Sequence, residues 1–161
     1  MLYRRILVPV DGSPTSMAGL KEAVRLAKNQ QAKLCLLHVV DETIVFNTPE
    51  GGINIGPILE DMKRGGKRLL RKAEKFAVAQ GVKPVSDLRE SVGARVADAI
   101  MWQAKRWRAD LIVMGTHGRR GVNRMLMGSD AELVVRNVSV PVLLVHAKGR
   151  ARSAGGRRKR K

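Results

Sequence analysis

Aromatic residues are scarce: two Trp, two Phe and one Tyr, 3% of 161 positions. A surface that binds single strands by stacking bases on exposed rings is therefore disfavoured, and any core has to be aliphatic. Cysteine is scarcer still. Cys35 stands alone, which excludes an intrachain disulfide and fits a reducing compartment. Its setting, Leu34-Cys35-Leu36-Leu37, reads as that of a small buried hydrophobe. Three scattered histidines, His38, His117 and His146, and one cysteine make no metal-ligand cluster. No apolar run reaches the roughly 18 residues of a membrane span, so none is expected. The start, Met1-Leu-Tyr-Arg-Arg, leads straight into the short run Ile6-Leu-Val-Pro-Val10. That run lacks a small-residue cleavage site and reads as a strand, not a signal peptide; a cytoplasmic protein is expected.

Acidic residues are in deficit, 14 against 31 Lys and Arg, for a net charge of +17. The imbalance is uneven. Residues 148–161 carry eight cations and no acid, leaving +9 on the rest. That stretch is also rich in Gly, Ala and Ser, cannot bury a core and is expected to be a disordered basic tail. Residues 1–147 then form one domain. The tail is either a solubilising extension or a contact for nucleic acid or another polyanion.

Along the domain, apolar runs alternate with helical periods. Ile6–Val10 is a short buried strand. Ser13-Pro14 supplies an N-cap and a first-turn proline, and Leu20, Ala23, Val24 and Ala27 follow at helical spacing. Leu34–Val40 is apolar enough to be covered on both faces. Residues 41–57 hold three glycines and two prolines and read as irregular. A helix over 58–80 follows, with Leu69, Ala73, Phe76 and Ala77 as its inner stripe; Gly65 and Gly66 should weaken it by roughly 1 kcal/mol each. Pro84–Glu90 is a weaker strand, and Val96, Ala97, Ile100, Ala104 and Trp107 mark the next helix. Asp110–Met114, a helix over 129–137 and Val140–Val145 complete the pattern. Such alternation specifies an α/β fold with a parallel sheet and helices on both faces. Ligands of these sheets bind beyond the carboxyl ends of the strands, where the strand order reverses.

The strongest local signal is Gly115-Thr116-His117-Gly118, then nine residues, then Gly128-Ser129. Strand, glycine-rich loop and helix start together suit a phosphate, because glycine lets the backbone approach and free N–H groups point at the anion. Ser129 and Glu132 also match a capping box, a structural reason for both. Asp11 could equally cap the turn into the first helix. No serine or cysteine nucleophile has a recognisable partner set, so no catalytic residue is assigned, and slow ATP hydrolysis is the most enzymatic activity to look for.

Five segments together resemble the universal stress protein family: Val8-Pro-Val-Asp-Gly-Ser13, Leu37-His-Val-Val40, Ile112-Val-Met-Gly-Thr-His-Gly118, Gly128-Ser129 and Val140-Pro-Val-Leu-Leu-Val145. The resemblance spans residues 3–146, and its glycine motif is similar to that of the ATP-binding, UspA-type branch. It implies a three-layer, open, five-stranded parallel sheet of order 3-2-1-4-5, like that of the adenine-nucleotide alpha hydrolases. It implies ATP or another adenine nucleotide as ligand, with Mg²⁺ or Mn²⁺ carried alongside. The implied site comprises Pro9, Val10, Asp11 toward the ribose, the Val39 backbone toward adenine, Met114, and Gly115, Gly118, Arg119, Gly128, Ser129 and Asp130 around the phosphates. It further implies a homodimer joined through Val140–Val145 and a stress sensor or switch. One departure stands out: Asp130 brings a negative charge where some members carry a hydroxyl, with Arg119, Arg120 and Arg124 near enough in sequence to offset it.

Overall fold

The computed structural model describes residues 2–43, 55–91, 93–116 and 127–147. Among these residues five strands and four helices alternate: β1 (Arg5–Pro9), α1 (Pro14–Gln30), β2 (Lys33–Asp41), α2 (Ile55–Ala79), β3 (Val85–Ser91), α3 (Val96–Trp107), β4 (Leu111–Gly115), α4 (Ser129–Asn137) and β5 (Val142–Val145). The strands form one parallel sheet in the order β3-β2-β1-β4-β5, the order the family resemblance implies.

Alternation along the strands sorts the core into two layers. Ile6, Val8, Leu34 and Leu36 point to one face, against Leu20, Ala23 and Val24 of α1 and Leu70, Ala73 and Ala77 of α2. Leu7, Cys35, Leu37, Ile112 and Met114 point to the other, against Ala97, Ile100 and Ala104 of α3 and Ala131 and Val134 of α4. The small alanines at these helix positions let the helices lie close to a sheet of Leu, Ile and Val. Among the described residues no helix is long and apolar enough to cross a membrane.

Local signals explain several boundaries. The Ser13 hydroxyl accepts from the Ser16 N–H at 3.1 Å, and Pro14 opens α1. The helix stops at Gln31, which takes a left-handed conformation at φ 54°. Asp110 reaches across from the start of β4 and accepts from the Arg4 and Arg5 N–H groups at 2.8 and 2.9 Å, tying the entry of β1 to its neighbour.

Four expectations need correction. Helix α2 starts at Ile55, so Gly56 and Pro57 belong to it; proline in a first turn forfeits no helical hydrogen bond, because those N–H groups have no partner there. Leu70, not Leu69, is the buried residue of its inner face, while Leu69 lies against the turn at Gly12. Strand β5 begins at Val142, leaving Val140 and Pro141 outside it. The Ser129–Glu132 capping box does not form. Gly128 is the N-cap of α4, and the Glu132 carboxylate instead pairs with Arg136 at 2.6 Å. Residues 44–54 and the basic stretch 148–161 lie outside the described residues.

Candidate functional site

Strand β1 is central, and the chain leaves its carboxyl end between β2 and β4. There the sheet opens into a cleft of about 570 Å³, within the ~300–1,000 Å³ usual for small-molecule sites. Its floor is Pro9, Val10 and Asp11 after β1, Leu37 to Asp41 at the end of β2, and Met114 and Gly115 at the end of β4. One wall is the amino-terminal half of α2, from Asp61 to Arg68. The other is the start of α4, Gly128 to Ala131, with Val96 and Ile100 of α3.

Nine of the eleven residues named from sequence line this one cleft: Pro9, Val10, Asp11, Val39, Met114, Gly115, Gly128, Ser129 and Asp130. The other two, Gly118 and Arg119, lie outside the described residues, as do His117, Arg120 and Arg124.

Each lining element is held from behind. The Asp11 carboxylate accepts from the Ser13 N–H at 2.9 Å, an Asx turn that fixes the bend from β1 into α1 while leaving Asp11 on the cleft floor. Gly115 meets the first turn of α1 so closely that a Cβ there would lie 2.7 Å from the Thr15 carbonyl carbon and 2.8 Å from the Ser16 nitrogen. The Thr116 N–H donates to the Val145 carbonyl at 3.1 Å, and the Gly128 N–H donates to the Thr116 carbonyl at 2.8 Å. These two bonds seat the start of α4 beside the end of β4. The first N–H groups of α4 have no helical acceptor and carry the positive end of the helix dipole, so this rim of the cleft suits an anion.

Asp130 has a second role. Its Oδ1 accepts from the Ala97 N–H at 3.3 Å, in the first turn of α3. The carboxylate that would oppose a bound phosphate is thus drawn toward another positive helix end, which tempers its charge.

Sequence reasoning missed the contribution of α2. His38, 6% exposed, sits with Nδ1 2.7 Å from the Val10 carbonyl oxygen and its ring against Gly66. Gly65 and Gly66 both line this wall, and Gly66 packs directly against His38 and Leu88 of the sheet. Arg68, exposed and two residues on, brings a cation to the rim. The paired glycines in a helical stretch were the available signal, since a helix retains such weak residues where close approach requires them. Among the described residues no group of three or more His, Cys, Asp or Glu is arranged to hold a metal.

A doubly wound parallel α/β protein with a cleft at its topological switch point is the class that fold and site define. The universal stress protein family model matches residues 2–146. A universal stress protein of Methanocaldococcus jannaschii is 39% identical over 145 residues, covering 89% of this chain and 82% of that protein. This chain belongs to the universal stress protein family. Among solved structures, a family member from Burkholderia pseudomallei is similar at 31% identity and a TM-score of 0.73, covering 89% of this chain and 96% of that one. A universal stress protein in complex with cAMP is similar at 25% identity and a TM-score of 0.64, covering 91% of this chain and 99% of that one.

Proposed function

We propose that the cleft binds an adenine nucleotide and that binding serves a sensor or switch in a stress response. The observation that carries this reading is the convergence of Asp11, Val39, Gly115, Gly128 and Ser129 on one cleft whose rim is the amino end of α4. In this reading the Asp11 carboxylate meets the ribose and the Val39 backbone meets the adenine edge. The Ser129 N–H at the start of α4 faces the phosphates, with Gly118 and Arg119 completing the loop. Arg68 and Mg²⁺ or Mn²⁺ carried with the nucleotide offset the phosphate charge. The similar protein in complex with cAMP supports an adenine ligand for this fold.

The same reading makes the protein a cytoplasmic homodimer joined through β5. That strand pairs only with β4 among the described residues and leaves Leu143 36% exposed, an open edge of the kind that recruits another strand.

Calorimetric titration of nucleotide-stripped protein with ATP and AMP, with and without Mg²⁺, tests the proposal. Saturable binding that weakens tenfold or more in Asp11→Ala and Gly118→Val is expected. A folded protein that binds neither nucleotide would overturn the reading and leave a dimeric scaffold with an empty cleft.

A further inference from the structure

Helix α2 turns a second, separate surface to solvent. It carries seven cations between positions 63 and 75: Lys63, Arg64, Lys67, Arg68, Arg71, Lys72 and Lys75. At 100° per residue these fall within one half of the helix circumference, opposite the buried Gly66, Leu70, Ala73 and Ala77. Lys63 and Arg64 are neutralised: Lys63 pairs with Glu90 at 3.1 Å and Glu60 at 3.7 Å, and Arg64 with Asp61 at 3.6 Å. The remaining five are exposed and form no ion pair among the described residues. The neighbouring α1 adds Lys21, Arg25 and Lys28 along the groove between the two helices; of these, Arg25 is paired, with Glu22.

Glu74 is the one acid between positions 63 and 75 and lies on the same half of the helix; the remaining excess of like charge repels, and surface folding energetics do not call for it. The arrangement has a natural complement in a regular array of anions. The eight helical steps from Lys67 to Lys75 span about 12 Å, so the five unpaired cations are presented at roughly one per 3 Å. A DNA strand presents one phosphate per about 3.4 Å of axis. Two observations narrow the partner. The apolar side of α2 is buried in the core, so it has no free face to sink into a bilayer. Its single aromatic residue, Phe76, packs against that core, so no ring is offered to unstacked bases.

We infer that the exposed face of α2, flanked by α1, binds the phosphodiester backbone of duplex DNA without regard to sequence. The surface is distinct from the nucleotide cleft, meeting it only at Arg68.

Anisotropy titrations of a short labelled DNA duplex with the full chain, across about 50–200 mM salt, test this. In the triple variant Lys67→Gln, Arg71→Gln, Lys75→Gln, the plot of log K against log salt should flatten by about 2.7, from 0.9 per lost contact. Over that fourfold rise in salt the parent chain then loses about 40-fold more affinity than the variant. All three positions are exposed, so circular dichroism should show an unchanged fold. The charge-retaining variant Lys67→Arg, Arg71→Lys, Lys75→Arg should keep the parent slope. The inference is overturned by a triple variant with the parent slope, the result if Arg157, Arg158 and Lys159 of the tail carry the binding instead. It is equally overturned if the chain binds phosphatidylglycerol vesicles and not the duplex.

Discussion

His38 occupies the space that a side chain at position 66 would need. A Cβ on Gly66 would lie 2.5 Å from the imidazole Cδ2 and 2.7 Å from Leu88 Cδ1. The ring cannot easily yield, because it is buried and held at Nδ1 by the Val10 carbonyl. One residue earlier, a Cβ on Gly65 meets nothing nearer than the end of the flexible Arg68 side chain, at 3.7 Å. The two glycines should therefore respond oppositely to alanine. Gly66→Ala gains up to about 1 kcal/mol of helix preference but overpacks, at about 1–3 kcal/mol, and is expected to lower the urea midpoint. Gly65→Ala has only the gain and should raise the midpoint, with an unfolding free energy larger by about 0.5–1 kcal/mol. Equal shifts of one sign would contradict the close approach of α2 to β2 and β3.

Gly115 is fixed by main chain instead of side chain. The atoms a Cβ would strike belong to the backbone of Thr15 and Ser16 at the start of α1, and backbone cannot rotate away. Gly115→Ala is expected to cost about 2–3 kcal/mol in denaturant unfolding. Any measured loss of nucleotide affinity in this variant then follows from displacement of α1 and β4, which a folded-fraction control would reveal.

The link from Asp130 to the Ala97 N–H gives Asp130→Asn two separable consequences. Loss of the charge at the start of α3 should destabilise the fold by about 0.3–1 kcal/mol. In the proposed nucleotide site, the same change removes a negative charge from beside the phosphates. ATP affinity should rise more than AMP affinity when both are titrated. An unchanged ATP-to-AMP ratio would place the phosphates away from the start of α4.

Burial pushes the Cys35 thiol above its ordinary range; the nearby Asp87 carboxylate adds to this, while the Gln103 contact and Arg5 oppose it. Above an ordinary thiol pKa of about 8.5, the unfolded chain releases this proton while the folded protein still holds it. The folded state then binds more protons, and stability falls as pH rises, by up to about 1.4 kcal/mol per unit from this group. Cys35→Ala should lack that component. Urea unfolding of both proteins at about pH 8 and about pH 10 measures it as the change in their stability difference. The native thiol should also resist alkylation at neutral pH.

The alternation of Ile6–Val10, Leu34–Val40 and Asp110–Met114 with helical periods was enough to specify a parallel α/β sheet, because strand and helix periods depend only on neighbours in the chain. Ser13-Pro14 likewise marked the start of α1, since a cap and a first-turn proline act within one turn. Asp11, Val39, Gly115, Gly128 and Ser129 were legible through strand ends, the spaced glycine motif and the family resemblance, whereas Leu37 and His38 on the floor were not.

Tertiary contacts decided the rest. Whether Ser129 or Gly128 capped α4 depended on where Thr116 held the backbone, and Glu132 went to Arg136 once the cap was taken. Gly65 and Gly66 look alike in sequence, and only the position of His38 separates them. Asp130 reads as a charge facing phosphate until the fold brings the first turn of α3 beside it. A sequence states which groups a chain owns and how they repeat locally. Which of them meet across 28 or 33 residues, as His38 meets Val10 and Asp130 meets Ala97, is settled by packing, because contact at that separation exists only after the sheet has formed.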